Sequence, residues 1–122
     1  EYGLAVVDYN LLAKNVRTQW GAESKYRAAE CYYRLGAIDT AEQEIMSFTS
    51  MQTSHQYWLA KSLILLADIN VNRNDLFQAK QYLLALQNNY RQADDIATII
   101  ADKLEAIQQL ETQQNTDTIL TE

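Results

Sequence analysis

Residues 29–48 read AECYYRLGAIDTAEQEIMSF, and residues 67–86 read ADINVNRNDLFQAKQYLLAL. Laid over one another at an offset of 38, they carry Ala29 onto Ala67, Gly36 onto Asn74, Ala41 onto Ala79, Ile45 onto Leu83 and Phe48 onto Leu86. Within each stretch the apolar residues recur at three and four, the period of one helix face. Gly36 and Asn74 interrupt that pattern, and both tolerate the left-handed conformation in which helices end. Each stretch therefore reads as two helices joined by a tight turn. A two-helix unit repeating every 30-odd residues is the signature of a helical solenoid. Small residues at Ala29 and Ala41 let paired helices approach closely, and bulkier ones at Ile45 and Phe48 fill the next groove.

The periodicity predicts about six helices. The first, near 2–17, carries Leu4, Ala5, Tyr9, Leu12, Ala13 and Val16 on one face, and Gly21 closes the connection after it. A second spans 22–35. A third spans 39–50, opened by a capping-box spacing of Asp39 and Glu42. A fourth runs to 72 behind Thr53 or Ser54 as N-cap, a fifth to 90 behind Asp75, and a sixth over 96–109 behind Asp94 or Asp95. Ala5, Tyr9 and Leu12 repeat the spacing of Ala41, Ile45 and Phe48, so the chain opens on the second helix of an incomplete unit. The units are thus 1–18, 22–51, 55–90 and a capping helix at 94–110, one domain over 1–110. The polar segment 111–122 is expected to fray as a disordered tail. The missing initiator Met and signal-peptide pattern add the expectation of an excised or matured fragment.

Composition agrees. The 122 residues include no proline and three glycines, with 48% hydrophobic and 21% charged residues, which suits one folded helical domain. No apolar run approaches the ~18 residues that a membrane helix needs. A single cysteine, Cys31, excludes an intrachain disulfide framework. Ten Lys and Arg against sixteen Asp and Glu give −6, which argues against nucleic-acid binding through phosphate contacts.

The spacing resembles the tetratricopeptide repeat. Ala29, Tyr32, Gly36, Ala41, Ile45 and Phe48 fill that pattern's places in the first full unit, and Ala67, Asn70, Asn74, Ala79, Leu83 and Leu86 fill them in the second. The departures are Asn70 in the aromatic position, Thr53 and Arg91 where the closing proline is usual, and a period longer than the family's usual one. The segments AESKY at 22–26, SHQYWLA at 54–60 and FQAKQYLL at 77–84 resemble the last repeats of large bacterial cell-envelope proteins built from many such repeats. The resemblance covers about residues 11–107. It implies an all-α, right-handed superhelix at the C-terminal end of a longer array. It also implies a scaffold role and a place on the outer, periplasmic side of an inner membrane. A cytoplasmic setting is the alternative.

Residues with chemical potential are few. His55, the single histidine, sits at a helix start with no nucleophile or orienting group beside it in sequence. Cys31, in mid-helix, reads as a small packed hydrophobe. One His and one Cys without paired spacing make no metal site. Asp94 and Asp95 suit a helix N-terminus. Glu23, Glu30, Asp68 and Asp75 lie on separate elements, with no reason in sequence to pair any two. No Gly-rich phosphate loop is present, and no cofactor is implied. Trp20 and Trp58 read as core or inter-repeat fillers.

The remaining candidate is the concave groove of the solenoid. Tyr26, Glu30, Tyr33 and Arg34 share one helix face, and Tyr57, Lys61, Ile64, Asp68 and Val71 share another. The tyrosines offer flat amphipathic area, and Arg34 and Lys61 suit a carboxylate. The reading is a non-enzymatic module that binds a protein or peptide segment in this groove. The alternative is a structural array terminator, or a weak homodimer through Ile96, Ile99 and Ile100 if that face is uncovered.

Overall fold

A computed structural model of the chain describes Gly3 and residues 18–121, with side chains as far as 117. The helix expected near 2–17, and with it the incomplete first unit, lies outside the described residues apart from Gly3. Five helices follow: α1 (Gln19–Arg34), α2 (Ile38–Ser50), α3 (Gln56–Asn72), α4 (Leu76–Asn89) and α5 (Ile96–Thr121). There is no strand among the described residues, and the fold is all-α.

Local chemistry explains most helix ends. Gly36 and Asn74 take positive φ, +84° and +60°. In the first turn, Gly36 N–H donates to the Tyr33 carbonyl at 3.0 Å and Ala37 N–H to that of Tyr32 at 2.9 Å. The second turn repeats this, with Asn74 to Val71 at 2.9 Å and Asp75 to Asn70 at 2.8 Å. Both satisfy the last helical carbonyls in the same six-to-one and five-to-two pattern. Asp75 caps α4 by accepting from Gln78 N–H at 3.1 Å, and Asp94 caps α5 by accepting from Ile96 N–H at 3.0 Å. At α3 the N-cap place expected of Thr53 or Ser54 is held by His55, whose N–H donates to the buried Thr53 Oγ1 at 3.1 Å.

Three local expectations are corrected. Gly21 ends no connection; it lies inside the first turn of α1, and its N–H donates to Thr18 Oγ1 at 2.9 Å. Asp39 and Glu42 form no capping box. The helix starts at Ile38, which puts Asp39 inside the first turn, and both carboxylates instead receive the Arg73 guanidinium from the end of α3. Nor does the chain fray at Glu111. Helix α5 continues to Thr121, with Glu111 paired to Lys80 at 2.7 Å and Gln114 donating to Asn74 Oδ1 at 2.8 Å. Residues with modest helix propensity are held there by partners on the preceding turn and helix.

α1 packs on α2, α3 on α4, and α4 on α5; α3 also touches α1, α2 and α5. Helix α3 is accordingly buried around most of its circumference, through Ala60, Ser62, Ile64, Leu65, Leu66, Ala67, Ile69 and Asn70. Its two buried polar side chains are satisfied within the helix. Ser62 donates to the Trp58 carbonyl at 2.9 Å and Asn70 to that of Leu66 at 3.1 Å. Leu65, Leu66 and Ile69 join Tyr26, Ala29, Ala41 and Ile45 in one apolar cluster. Ala60, Ile64 and Ala67 join Ala79, Leu83, Ile96, Ile100 and Ile107 in the other. Burying each large aliphatic side chain contributes about 1.5–3 kcal/mol. The apolar face expected to serve a homodimer is therefore covered: Ile96 and Ile100 are core, and Ile99 is half-buried. Trp58 is half-buried against Tyr26 and Tyr57, as a filler should be, whereas Trp20 stands 74% exposed.

Candidate functional site

Helices α1, α3 and α5 enclose a cleft of about 290 Å³. Tyr26, Glu30, Tyr33 and Arg34 line it from α1, Lys61, Ile64, Leu65 and Asp68 from α3, and Ile99 and Lys103 from α5. Spacings of three and four put each set on one helix face, and the packing of α1 on α3 turns the two faces toward each other. Seven of the nine residues expected on the groove faces are thus brought together; Val71, near the end of α3, lines a separate hollow with Leu83, Ile107 and Leu110. Tyr57 is not among them. It stands at the start of α3, where its hydroxyl donates to Asp95 Oδ2 at 3.2 Å and its ring meets Trp58 edge-on at 4.9 Å.

The seven do not all present free surface. Tyr26 and Ile64 are each 5% exposed and form the floor of the cleft. Tyr33, Glu30, Lys61 and Asp68 are half-buried on its walls, and Arg34 is exposed at the rim. Tyr26 donates to Glu30 Oε2 at 3.0 Å, and burial, with Glu30 beside it, raises its phenol well above the ordinary range.

The carboxylates in the cleft are already held. Glu30 receives Tyr26, Arg27 Nη1 at 3.2 Å and Arg34 at 3.8 Å. Asp68 is paired with Lys103 at 2.9 Å. Lys61 differs: its Nζ sits 5.7 Å from the Tyr26 ring centre, and no described carboxylate pairs with it. A cation over an aromatic face keeps its charge available to a further anion. Three cations (Arg34, Lys61, Lys103) face two carboxylates in the cleft, on a chain whose overall charge is −6. Lys103 and Ile99 were not legible as cleft residues, because their helix reads from sequence as a cap, with Lys103 on its polar side and Ile99 on the face expected to serve a homodimer. Arg27 was also missed. It stacks 5.4 Å from the centres of both Tyr26 and Trp58 while holding Glu30 and Glu23. The signal that would have found it is its i,i+3 and i,i+4 spacing to those two glutamates.

The remaining chemical candidates are accounted for by packing. Cys31 is buried, and burial, with Glu30 nearby, raises its thiol, which disfavours the nucleophilic thiolate. Asp94 takes the Tyr90 hydroxyl together with the α5 N-terminus. Glu23 pairs with Arg27 at 3.4 Å. His55 lines a shallow polar hollow with Gln19, Tyr57 and Trp58. No three His, Cys, Asp or Glu side chains converge as a metal site among the described residues. No family model, curated protein or solved structure matches the chain.

Proposed function

We propose that this chain is a non-enzymatic interaction module of the tetratricopeptide-repeat kind, which holds a segment of another protein in the cleft between α1, α3 and α5. One observation carries the reading. Seven residues chosen only by helix face converge on one cleft, whose carboxylates are internally paired while Lys61 keeps its charge for a ligand. A segment bearing a carboxylate would meet Lys61 and Arg34, and its apolar part would lie on Tyr33 and the Tyr26–Ile64 floor. The repeat reading draws support from the 38-residue offset, the two matching left-handed turns and the α1–α3 and α3–α5 packing that follows the pairs. The resemblance extends the proposal to the C-terminal part of a longer array in a cell envelope. No helix among the described residues is long and apolar enough to cross a membrane.

The test compares the native chain with Tyr33→Ala/Arg34→Glu/Lys61→Glu as bait for envelope and soluble fractions, once both show matched helical spectra and melting. A protein retained by the native chain, lost by the variant and released by added salt supports the cleft. A protein retained equally by both moves the site elsewhere.

A second reading, that α5 terminates an array, is favoured by one observation. The exposed residues Thr98, Asp102, Glu105, Gln108 and Gln109 give α5 a polar outer surface, which suits a solubilising cap. A chain that captures nothing and stays monomeric across a concentration series would put this reading ahead.

A further inference from the structure

Asp68 and Lys103, paired at 2.9 Å, line the cleft and also line the hollow in which Val71 lies. That hollow measures about 160 Å³ and is otherwise apolar, with Ala67 and Val71 from α3, Leu83 from α4, and Ala106, Ile107 and Leu110 from α5. The two spaces follow one another along a single seam. Ile64, Asp68 and Val71 step along α3 as Ile99, Lys103 and Ala106 step along α5, at a constant offset of 35 residues. The ion pair crosses the seam as a bar between them. Leu83 and Ile107 are buried at the base of the hollow, whereas Ala106 and Leu110 are exposed at its mouth. An apolar cavity of ~150 Å³ accepts a benzene-sized group. One large apolar side chain therefore suits this space.

We infer that the hollow is the specificity pocket of the cleft, taking a large apolar side chain from an extended segment whose carboxylate lies on Lys61. The inference rests on the proposal that the cleft holds a segment of another protein, and it names that segment's chemistry. Charge selects the acidic anchor. Glu30 and Asp68 are held by Arg27 and Lys103, while Lys61 has no carboxylate partner among the described residues. Distance selects the spacing. Lys61 and Val71 stand ten residues apart on α3, about 15 Å along its axis. An extended chain covers ~13 Å in about four residues, and its side chains at i and i+4 point to the same side. A helix, about 10 Å across, needs more room than a cleft of about 290 Å³ gives over that length. Between the two anchors the segment's backbone crosses the bar, where Lys103 donates to a carbonyl and Asp68 accepts from an N–H.

The test selects short random peptides, displayed on phage, against the native chain. The enriched peptides are then measured by fluorescence anisotropy on the native chain and on Lys61→Glu, Ala106→Trp and Leu110→Gln. Ala106→Trp fills the hollow from an exposed position, and Leu110→Gln makes its mouth polar, so the second serves where the first does not melt like the native chain. The enriched peptides are expected to share an acidic and a large apolar residue about four apart, in either order. Replacing that apolar residue by alanine weakens binding to the native chain by about ten- to a hundredfold. The same replacement changes binding to Ala106→Trp little, because the hollow is already filled. Lys61→Glu weakens binding as well, and added salt shrinks that loss. Enriched peptides without the spacing overturn the inference, and so does a selection that enriches none. Peptides that need Lys61 but bind Ala106→Trp and Leu110→Gln as tightly as the native chain overturn it too, and leave the cleft reading standing. Peptides indifferent to all three variants overturn both.

Discussion

The two helix pairs, α1–α2 and α3–α4, are built on the same frame and filled differently. The frame is small and local. Ala29 and Ala67, and Ala41 and Ala79, are all at most 1% exposed, and Gly36 and Asn74 turn the chain with the same pair of hydrogen bonds. The filling diverges at the flank. In the first pair Lys25 and Glu44 bridge the helices at 2.8 Å, with side chains 11% and 23% exposed. At the same register in the second pair stand Leu63 and Tyr82, which line an apolar cleft of about 230 Å³ with Leu59 and Leu86. Close helix approach and turn geometry repeat because only a few residue types permit them. The space alongside can be closed by a charge pair or by apolar side chains.

The largest expected difference between the pairs lies at Phe48 and its counterpart Leu86. Phe48 is 1% exposed, so Phe48→Ala is expected to cost about 3–5 kcal/mol in urea unfolding. Leu86 is half-buried beside a cleft, and Leu86→Ala is expected to cost roughly 2 kcal/mol, the low end for its class. Equal losses would show that the two positions carry equal weight despite their burial. Next comes the charge pair. Lys25→Met leaves Glu44 without its mostly buried partner and is expected to cost on the order of 1–3 kcal/mol, between the exposed and fully buried cases. Importing the second pair's solution as Lys25→Leu/Glu44→Tyr is expected to recover that loss. Failure of the double variant to recover would mean that the first flank cannot accept apolar filling.

A pH comparison sharpens the same contrast. The phenols of Tyr26, under the first pair, and Tyr90, at the end of the second, are both raised, chiefly by burial and then by Glu30 and Asp94 respectively. A folded-state value above the unfolded value of ~10 gives stability that is present below that pH and lost as pH rises beyond it. Denaturant midpoints are expected to hold to about pH 9 and to fall by about pH 11. Tyr26→Phe and Tyr90→Phe should each remove part of that fall. A midpoint that does not decline in either the native chain or the variants would contradict the burial argument.

What could be read from the sequence follows the same division. The turns at Gly36 and Asn74, the caps at Asp75 and Asp94 and the faces that meet in the cleft were legible, because each is decided within a few residues. What escaped was decided at long range. Asp39 and Glu42 were diverted by Arg73 from the next pair, and the helix past Glu111 is secured by Lys80 and Asn74. Tyr57 shares a helix face with Lys61 but lies toward the start of α3, where Asp95 takes its hydroxyl. Lys103 became a cleft residue only because α5 packs beside α3, so that it reaches Asp68. Face periodicity finds which side of a helix is free. It does not say how far along that side a neighbour extends.

The smallest expected effects test whether the two turns are interchangeable. A Cβ at Gly36 would meet nothing within 4 Å, so Gly36→Ala suffers no clash and its cost is purely conformational, on the order of 1–2 kcal/mol for an L residue at positive φ. Gly36→Asn should cost less than Gly36→Ala, because Asn74 already occupies the equivalent place. The reverse exchange has opposing terms. Asn74→Gly relieves the left-handed strain, but it frees the unfolded chain and removes the acceptor for Gln114. The net change is expected to lie within about 0.5 kcal/mol of zero. A clear gain from Asn74→Gly would mean that the Gln114 contact adds nothing. A clear loss would make Asn74 the point at which α5 is locked onto the second pair, and Gln114→Ala should then lose the same amount.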